Sequence, residues 1–549
     1  MKITLAQLNF HVGNFRKNSR LIIDAIGKAK KEGSDLVVFP ELSITGYPPQ
    51  DLLEHSDFID KCYAAIDKVA EECRDIAAII GAPAINRNKS GKKLYNAAYL
   101  LAGGKVQDIV YKSLLPTYDI FDEYRYFEPS RDFKVMELNG KRLAVTICED
   151  LWDEQEFENE FSSLRMYPVS PMQELAALNP DLIINISASP FAYNKTQSKI
   201  KIFTDKAAKW KLPLLMVNLV GGNTDIIFEG NSLVAGPSGN VTDIFPAFKE
   251  HIASYELSDI SAGSENKKYS PDTVEMIYGA LILGLRDYFS KMNFKSTVVG
   301  LSGGIDSAVC LSIAADALGA ERVRALLLPS MYSSSHSVDD AIELCNKLGV
   351  KYDIISIENA YRAIEESLSD IMKGMPEDVS EENIQARLRS LMLMAVSNKF
   401  GNILLNTSNK SETAVGYSTL YGDMAGSISV LGDVYKTDVY RLAAFINKDK
   451  EVIPANIIKK APSAELRPGQ KDSDSLPEYS ILDSILYQYI ELQKPLEDIE
   501  GKNITPSLVR EIISLVNKSE YKRYQAPPIL RISGKAFGPG RKMPLVADY

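Results

Sequence analysis

Short apolar runs, each closed by glycine, proline or a small polar residue, recur through the first half of the chain. Residues 3–8, 36–39, 77–82, 95–102, 143–148, 182–187 and 214–220 have the length and composition of strands. Between them, 18–31 and 57–74 carry apolar positions at helical spacing. Gly-Pro-Ser-Gly at 236–239 marks a hairpin turn. The polar, turn-rich stretch SAGSENKKYS at 261–270 marks a domain boundary, giving domains 1–262 and 263–549.

The second half has another rhythm. After an amphipathic helix over 273–292, strands at 297–301, 323–328, 354–357 and 402–406 alternate with helices at 307–318, 337–348 and about 383–399. Such alternation predicts a doubly wound parallel sheet, an α/β architecture that binds ligands beyond the carboxyl ends of its strands. The polar segment 465–478 is long enough to be a functional loop.

A chain of 549 residues exceeds the usual size of one core, in line with two domains. A net charge of −10 argues against nucleic acid as a partner, yet leaves room for a local basic pocket. No apolar run approaches membrane-spanning length, and the N-terminus alternates like a strand rather than a signal peptide. The five cysteines, Cys62, Cys73, Cys148, Cys310 and Cys345, lie far apart, which argues against a structural zinc site. Their odd number favours a reducing compartment, so a cytoplasmic protein is expected.

Chemistry enters at GLSGGIDS. Gly300, Leu301, Ser302, Gly303, Gly304, Ile305, Asp306 and Ser307 follow a predicted strand and open a helix. Paired glycines permit a tight turn, and the helix N-terminus offers N–H groups to an anion. A carboxylate beside phosphate needs a cation between them, so Asp306 reads as a magnesium ligand. Walker A's closing Gly-Lys-Ser/Thr is absent. The spelling SGGIDS resembles the pyrophosphate-cradling loop of the N-type ATP pyrophosphatases. Downstream, NTSNKSETAV offers Glu412 as a second carboxylate for the metal. It reads equally as a helix start, with Asn409 as cap and Glu412 at the third helical position.

With NIQARLRSLMLMAVSNK, LYGD, DVYKT, APSAE and EYKRYQAPP, the second half resembles the NAD⁺ synthetases. That resemblance implies a sheet of the adenine nucleotide alpha-hydrolase (PP-loop) type. It assigns the phosphate loop, Thr407, Lys436 and Ser463 to ATP. It assigns Asn383, Arg387, Glu412, Tyr421, Asp423 and Lys522 to deamido-NAD⁺, and Asp306 and Glu412 to Mg²⁺. From the residues alone, Lys436 and Lys522 would pass as solvated lysines.

In the first half, three apolar stretches end in reactive side chains: Glu41 in FPEL, Lys112 in IVYKSLL and Cys148 in ICED. A thiol needs a base and an oxyanion needs a cation, and this set supplies both. Each residue alone also has a bland reading, as a loop carboxylate, a surface lysine or a buried thiol. In this order the three resemble the nitrilase, or carbon–nitrogen hydrolase, superfamily over residues 1–260, and within it the glutaminase domains attached to NAD⁺ synthetases. The resemblance implies an α-β-β-α sandwich, and places Tyr118, Ser189 and Lys195 on the glutamine. Glu123, Glu128 and Glu149 remain open as a second acid.

Together these readings imply a carbon–nitrogen ligase. Ammonia freed from glutamine, or supplied as such, would amidate deamido-NAD⁺ activated by ATP. A large homo-oligomer with an ammonia path follows from the resemblance alone. Two alternatives stand beside it: another glutamine-fed adenylating ligase, and a non-catalytic nucleotide-binding scaffold.

Overall fold

Two apolar faces per strand dictate the first unit's layering. The computed structural model describes residues 1–154, 166–263 and 266–547, and the chain divides into compact units Met1–Pro271 and Asp272–Tyr549. The polar stretch 261–270 thus closes the first unit rather than straddling the division; Ser264 and Glu265 within it lie outside the described residues.

One six-stranded sheet of the first unit runs in the order His251–Glu256, Lys2–Gln7, Leu36–Val38, Ala77–Ile85, Leu94–Ala102, Lys105–Tyr111. The other runs Val241–Ile244, Leu233–Ala235, Leu214–Asn218, Leu182–Ser187, Lys141–Ile147, Met136–Leu138. Period-two alternation sorts the side chains. Ile3, Leu5, Val38 and Ile79 of the first sheet pack with Val145, Ile147, Ile184 and Val217 of the second. Val37, Ala78 and Ile80 face the other way, onto helices Phe15–Lys31 and Ser56–Glu71 through Ile22, Ile26, Ile66 and Val69. Helices Pro171–Ala176 and Thr196–Trp210 cover the second sheet through Met172, Leu175 and Phe203. The result is an α-β-β-α sandwich.

Helix Phe15–Lys31 starts where the Asn14 side chain accepts the Lys17 N–H, and carries Lys28, Lys30 and Lys31 in its last turn, against the negative end of the helix dipole. Strand Lys105–Tyr111 lies outside the set predicted above; its alternating exposure, KVQDIVY, reflects its place at the sheet edge.

The second unit holds five parallel strands in the order Lys351–Ile354, Val323–Leu327, Thr297–Gly300, Ile403–Asn406, Ile428–Ser429. The chain starts in the middle, builds outward on one side, then crosses to the other. The strand order therefore reverses between Thr297–Gly300 and Ile403–Asn406, which opens a crevice at their carboxyl ends. The strand expected at 354–357 is instead Lys351–Ile354. Ile354 and Ile355 are exposed, while Ile357 is buried at the cap of helix Glu358–Leu368. The apolar run overshoots the strand because its last isoleucine serves the next element.

Candidate active sites

In the first unit, each expected reactive residue follows directly on a strand or its loop. Glu41 comes after Leu36–Val38, Lys112 after Lys105–Tyr111, and Cys148 after Lys141–Ile147. All three are buried. Lys112 Nζ donates to Glu41 Oε1 at 2.8 Å and to both Glu123 oxygens at 2.9 and 2.8 Å. Glu41 is held from both sheets: Asn96 Nδ2 donates to its Oε1 at 2.7 Å, and the Ala188 N–H to its Oε2 at 3.0 Å. Gly81 makes room for it, since a Cβ there would fall 2.2 Å from the Leu42 nitrogen. Tyr47 Oη donates to Glu123 Oε1 at 2.9 Å.

Cys148 has φ +44, a left-handed backbone that a cysteine adopts only when its surroundings impose it. Asp150 is what imposes it. Its carboxylate accepts the N–H of Ile147 at 3.0 Å and those of Ser113 and Leu114 at 2.9 Å each. One carboxylate thereby ties the nucleophile's turn to the segment that follows Lys112. Glu149 points elsewhere and accepts from Tyr118 Oη at 3.0 Å and Tyr167 Oη at 2.9 Å.

Burial pushes the Cys148 thiol well above its ordinary value, with the Glu41 charge adding to it and Lys112 opposing. Burial opposes the charge on Lys112, but Glu123 and Glu41 outweigh it and hold the ammonium well above its ordinary range. Burial raises Glu123 to about 7 against the pull of Lys112. The resting cluster is therefore a protonated thiol beside a charged lysine, and a thiolate forms only as its proton moves to a base.

Of the glutamates left open, Glu123 sits on Lys112, Glu149 on the two tyrosines, and Glu128 on the Lys92 N–H at 2.7 Å. Tyr118 joins the site through Glu149. Ser189 is half-buried with its N–H on Asn218, and Lys195 is exposed at the start of helix Thr196–Trp210. Sequence reasoning missed Asn96, a polar residue with no exposure inside strand Leu94–Ala102, which nothing in its local spelling sets apart. Tyr47 was missed too, and has no distinguishing spelling.

The second unit holds a cavity of about 300 Å³ at the strand-order reversal. Seven of the eight loop residues from Gly300 to Ser307 line it, with Thr407, Glu412, Asp423, Lys436 and Ser463. Gly303, the eighth, has φ +78, and a Cβ there would lie 2.2 Å from the Ser337 carbonyl oxygen. No other residue fits that turn. Ser302 and Ser307 share a hydrogen bond at 3.1 Å, with Ser307 in the first turn of helix Ile305–Leu318.

Asp306 Oδ1 accepts from Asn409 Nδ2 at 2.8 Å, and Lys436 Nζ bridges Asp306 at 2.5 Å and Glu412 at 3.0 Å. Asn409 caps helix Lys410–Val415 by accepting the Glu412 N–H, so the cap and the acid are one device, as both sequence readings allowed. Burial raises Glu412 to about 7 against the pull of Lys436. Among the described residues no cluster of three or more histidine, cysteine or acidic side chains is positioned to hold a metal. The two carboxylates offer the hard oxygens that magnesium prefers, but Lys436 Nζ bridges them, so a metal would use their remaining lone pairs or displace the ammonium and take its other ligands from water and substrate.

The remaining expected residues gather around segment 416–423. Asn383 accepts from Thr419 Oγ1 at 2.7 Å, and Lys522 Nζ donates to the carbonyls of Gly416 and Ser418 at 2.8 and 2.7 Å. Tyr421 is 69% exposed and donates to Gln525, while Asp423 accepts the Thr419 N–H. Arg387 is exposed and bonds the Leu420 carbonyl. On the same helix, Val379–Phe400, the cavity is lined by Ala386, Arg389, Ser390 and Leu393 instead. Arg389 is therefore a site residue that the sequence reading passed over. Its 3/4 spacing from Ala386 and Leu393 puts it on their face of the helix, but only the fold shows that this face meets the cavity. Burial pulls its guanidinium down to about 10, and its Nε donates to the Leu328 carbonyl.

Comparison with known proteins covers both units. The carbon–nitrogen hydrolase family model matches residues 2–159, and the NAD synthase model matches 277–526. A glutamine-dependent NAD(+) synthetase from Synechocystis sp. is 40% identical over 555 residues, covering 100% of this chain and 99% of its own length. One from Thermotoga maritima is 38% identical over 586 residues, covering 100% and 99%. A solved glutamine-dependent NAD+ synthetase from Acinetobacter baumannii, in complex with adenosine diphosphate, is similar at TM-score 0.77 and 37% identity over 99% of this chain and 98% of its own. A structure of another, from Cytophaga hutchinsonii, shares the fold at TM-score 0.83 and 20% identity, covering 100% and 98%.

Proposed function

The chain belongs to the glutamine-dependent NAD(+) synthetases, and on that premise we propose how its own residues divide the work of amidating deamido-NAD⁺ to NAD⁺. The observation that carries the proposal is that both halves of the chemistry have a built site. One unit has a buried Glu41–Lys112–Cys148 cluster, and the other a phosphate loop facing Asp306, Glu412 and Lys436.

In the first unit, Glu41 takes the Cys148 proton as sulfur attacks the glutamine amide carbon. Lys112, kept charged by two carboxylates, faces the negative oxygen that develops. The proton returns to the departing nitrogen, ammonia leaves, and water then cleaves the thioester to glutamate. Glu123 holds Lys112 in place. Glu149 lies within electrostatic reach of Cys148 and its hydrogen bonds come from tyrosines rather than Lys112, so it suits the substrate's α-ammonium group. Tyr118, Ser189 and Lys195 complete glutamine binding.

In the second unit, the loop from Gly300 to Ser307, Thr407, Lys436 and Ser463 hold ATP, and Asn383, Arg387, Glu412, Tyr421, Asp423 and Lys522 hold deamido-NAD⁺. The nicotinate carboxylate attacks the α-phosphorus, pyrophosphate leaves, and ammonia displaces AMP from the mixed anhydride. Asp306 and Glu412 would hold Mg²⁺, which neutralises phosphate charge when bound. Lys436, assigned to ATP, adds its own positive charge beside the phosphates. ATP use is supported by the adenosine diphosphate complex of the Acinetobacter baumannii protein.

We extend the family resemblance to a homo-oligomer, in which a second copy would cover Leu391 and Met394, exposed apolar residues three apart on helix Val379–Phe400. No helix among the described residues is long and apolar enough to cross a membrane, and the five free cysteines suit the cytoplasm.

The deciding experiment is Cys148→Ala, with labelled glutamine or ammonium as nitrogen source. It should abolish NAD⁺ formation from glutamine and spare formation from ammonium. Loss of both would contradict the division of labour.

A further inference from the structure

The wall of the nucleotide cavity carries an anion of its own. Glu465 lies in the polar loop between helix Ala455–Lys459 and the turn Asp472–Asp474, with φ +49. A glutamate takes that backbone only when something holds it there. Its Oε1 accepts from Lys460 Nζ at 2.5 Å and from the hydroxyls of Ser334 and Ser337 at 3.0 Å each. Lys460 Nζ also bonds Ser337 Oγ.

These groups are continuous with the phosphate loop. It is the Ser337 carbonyl that presses on Gly303, and Ser337, Lys460, Glu465 and Arg389 line the same cavity as Gly300 to Ser307. An ammonium and two hydroxyls suit a phosphate oxygen as well as a carboxylate oxygen. Arg389, within electrostatic reach of Glu465, adds a second cation to that wall.

We propose that Lys460 is a further phosphate-binding residue of the synthetase site, and that Glu465 is its internal counter-ion, exchanged for a phosphoryl oxygen of the nucleotide's triphosphate. This rests on reading the cavity as the ATP site. No covalent bond changes; one anion replaces another on the same donors. Binding of the triphosphate releases Glu465 from Lys460. When pyrophosphate has formed, the returning carboxylate competes for its seat and speeds its departure.

The test uses the full-length chain with inorganic pyrophosphate as the probe. Its binding is measured by calorimetry, alongside the KM for ATP in ammonium-driven synthesis. Glu465→Gln removes the competing charge and should tighten pyrophosphate by about tenfold, the scale of one charge-assisted hydrogen bond. Lys460→Met should weaken pyrophosphate and raise the KM for ATP by a similar factor, and the double variant should behave as Lys460→Met.

Glu465→Gln weakening pyrophosphate as Lys460→Met does would overturn the proposal, because the pair would then only brace the loop. No change in either variant would overturn it equally. Should Glu465→Gln not fold, judged by its melting curve, Glu465→Asp stops one methylene short of Lys460 and must tighten binding in the same direction. A wild-type chain that binds pyrophosphate yet makes no NAD⁺ would fault the functional reading instead, and leave the binding comparison to stand or fall by itself.

Discussion

A methyl group at position 81 has no space to occupy. Gly81 lies within strand Ala77–Ile85, and a Cβ there would meet the Leu42 nitrogen at 2.2 Å and the Glu41 Cα and carbonyl carbon at 2.8 Å. Ordinary contact begins near 3.4 Å, so the Glu41–Leu42 backbone must retreat by about 1.2 Å, the difference between 3.4 and 2.2. That retreat pulls against the Gly81 N–H bond to Ser43 Oγ and against the Ile44 N–H bond to the Gly81 carbonyl. It also carries Glu41 away from Asn96, Lys112 and Ala188. A misplacement of about 1 Å at a reacting group costs on the order of a hundredfold in rate, and overpacking costs about 1–3 kcal/mol of stability. Gly81→Ala should therefore lower glutaminase kcat/KM about a hundredfold and the melting temperature by a few degrees. Ammonium-driven NAD⁺ synthesis by the same preparation should persist. The assay measures glutamate release and NAD⁺ formation side by side. Wild-type glutaminase activity in this variant would refute the claim that Glu41's position sets the rate, and equal loss of both activities would mean general unfolding.

Two further substitutions probe other parts of the reasoning. Gly303→Ala adds a Cβ 2.2 Å from the Ser337 carbonyl at φ +78, so NAD⁺ synthesis from either nitrogen source should fall by about a hundredfold or more, with glutaminase retained. Retained synthesis would show that the loop tolerates the shift. Glu123 sits at about 7 in the folded chain, above its ordinary 4.5, so the folded state holds a proton that the unfolded chain releases between those values. Its contribution to stability is complete below pH 4.5 and declines as pH rises through 7. The melting temperature of wild type relative to Glu123→Gln should accordingly fall from pH 5 to pH 8; a constant difference would rule out this titration.

Reactive side chains at strand ends were legible because a strand end announces itself: the apolar run stops and a charged or sulfur-bearing residue follows. Glu41, Lys112 and Cys148 have that spelling, Asp306 was marked instead by the paired glycines before it, and all stand in one of the two sites. What stabilises them was not legible. Asn96 and Gly81 lie inside strands, where nothing local distinguishes a packing position from a support for Glu41. Asp150 was not legible: it stands two residues after Cys148, but its bonds to Ser113 and Leu114 join segments brought together only by folding. Arg387 and Arg389 are two residues apart in one helix, so choosing between them needed the helix's orientation toward the cavity. The edge strand Lys351–Ile354 was misplaced because apolar content marks burial, and burial there extends past the strand to Ile357.

The hydrogen bond from the Ala188 N–H to Glu41 spans 147 residues and joins the two sheets of the sandwich. Protein synthesis delivers these residues in order. While the ribosome is still adding residues 149–187, the nascent chain already carries Glu41, Lys112 and Cys148 but lacks the last donor that fixes the base. The thiol thus emerges unarmed, and remains so until the second sheet has closed on the first. A chain interrupted before residue 188 would be a bystander rather than an uncontrolled amidase.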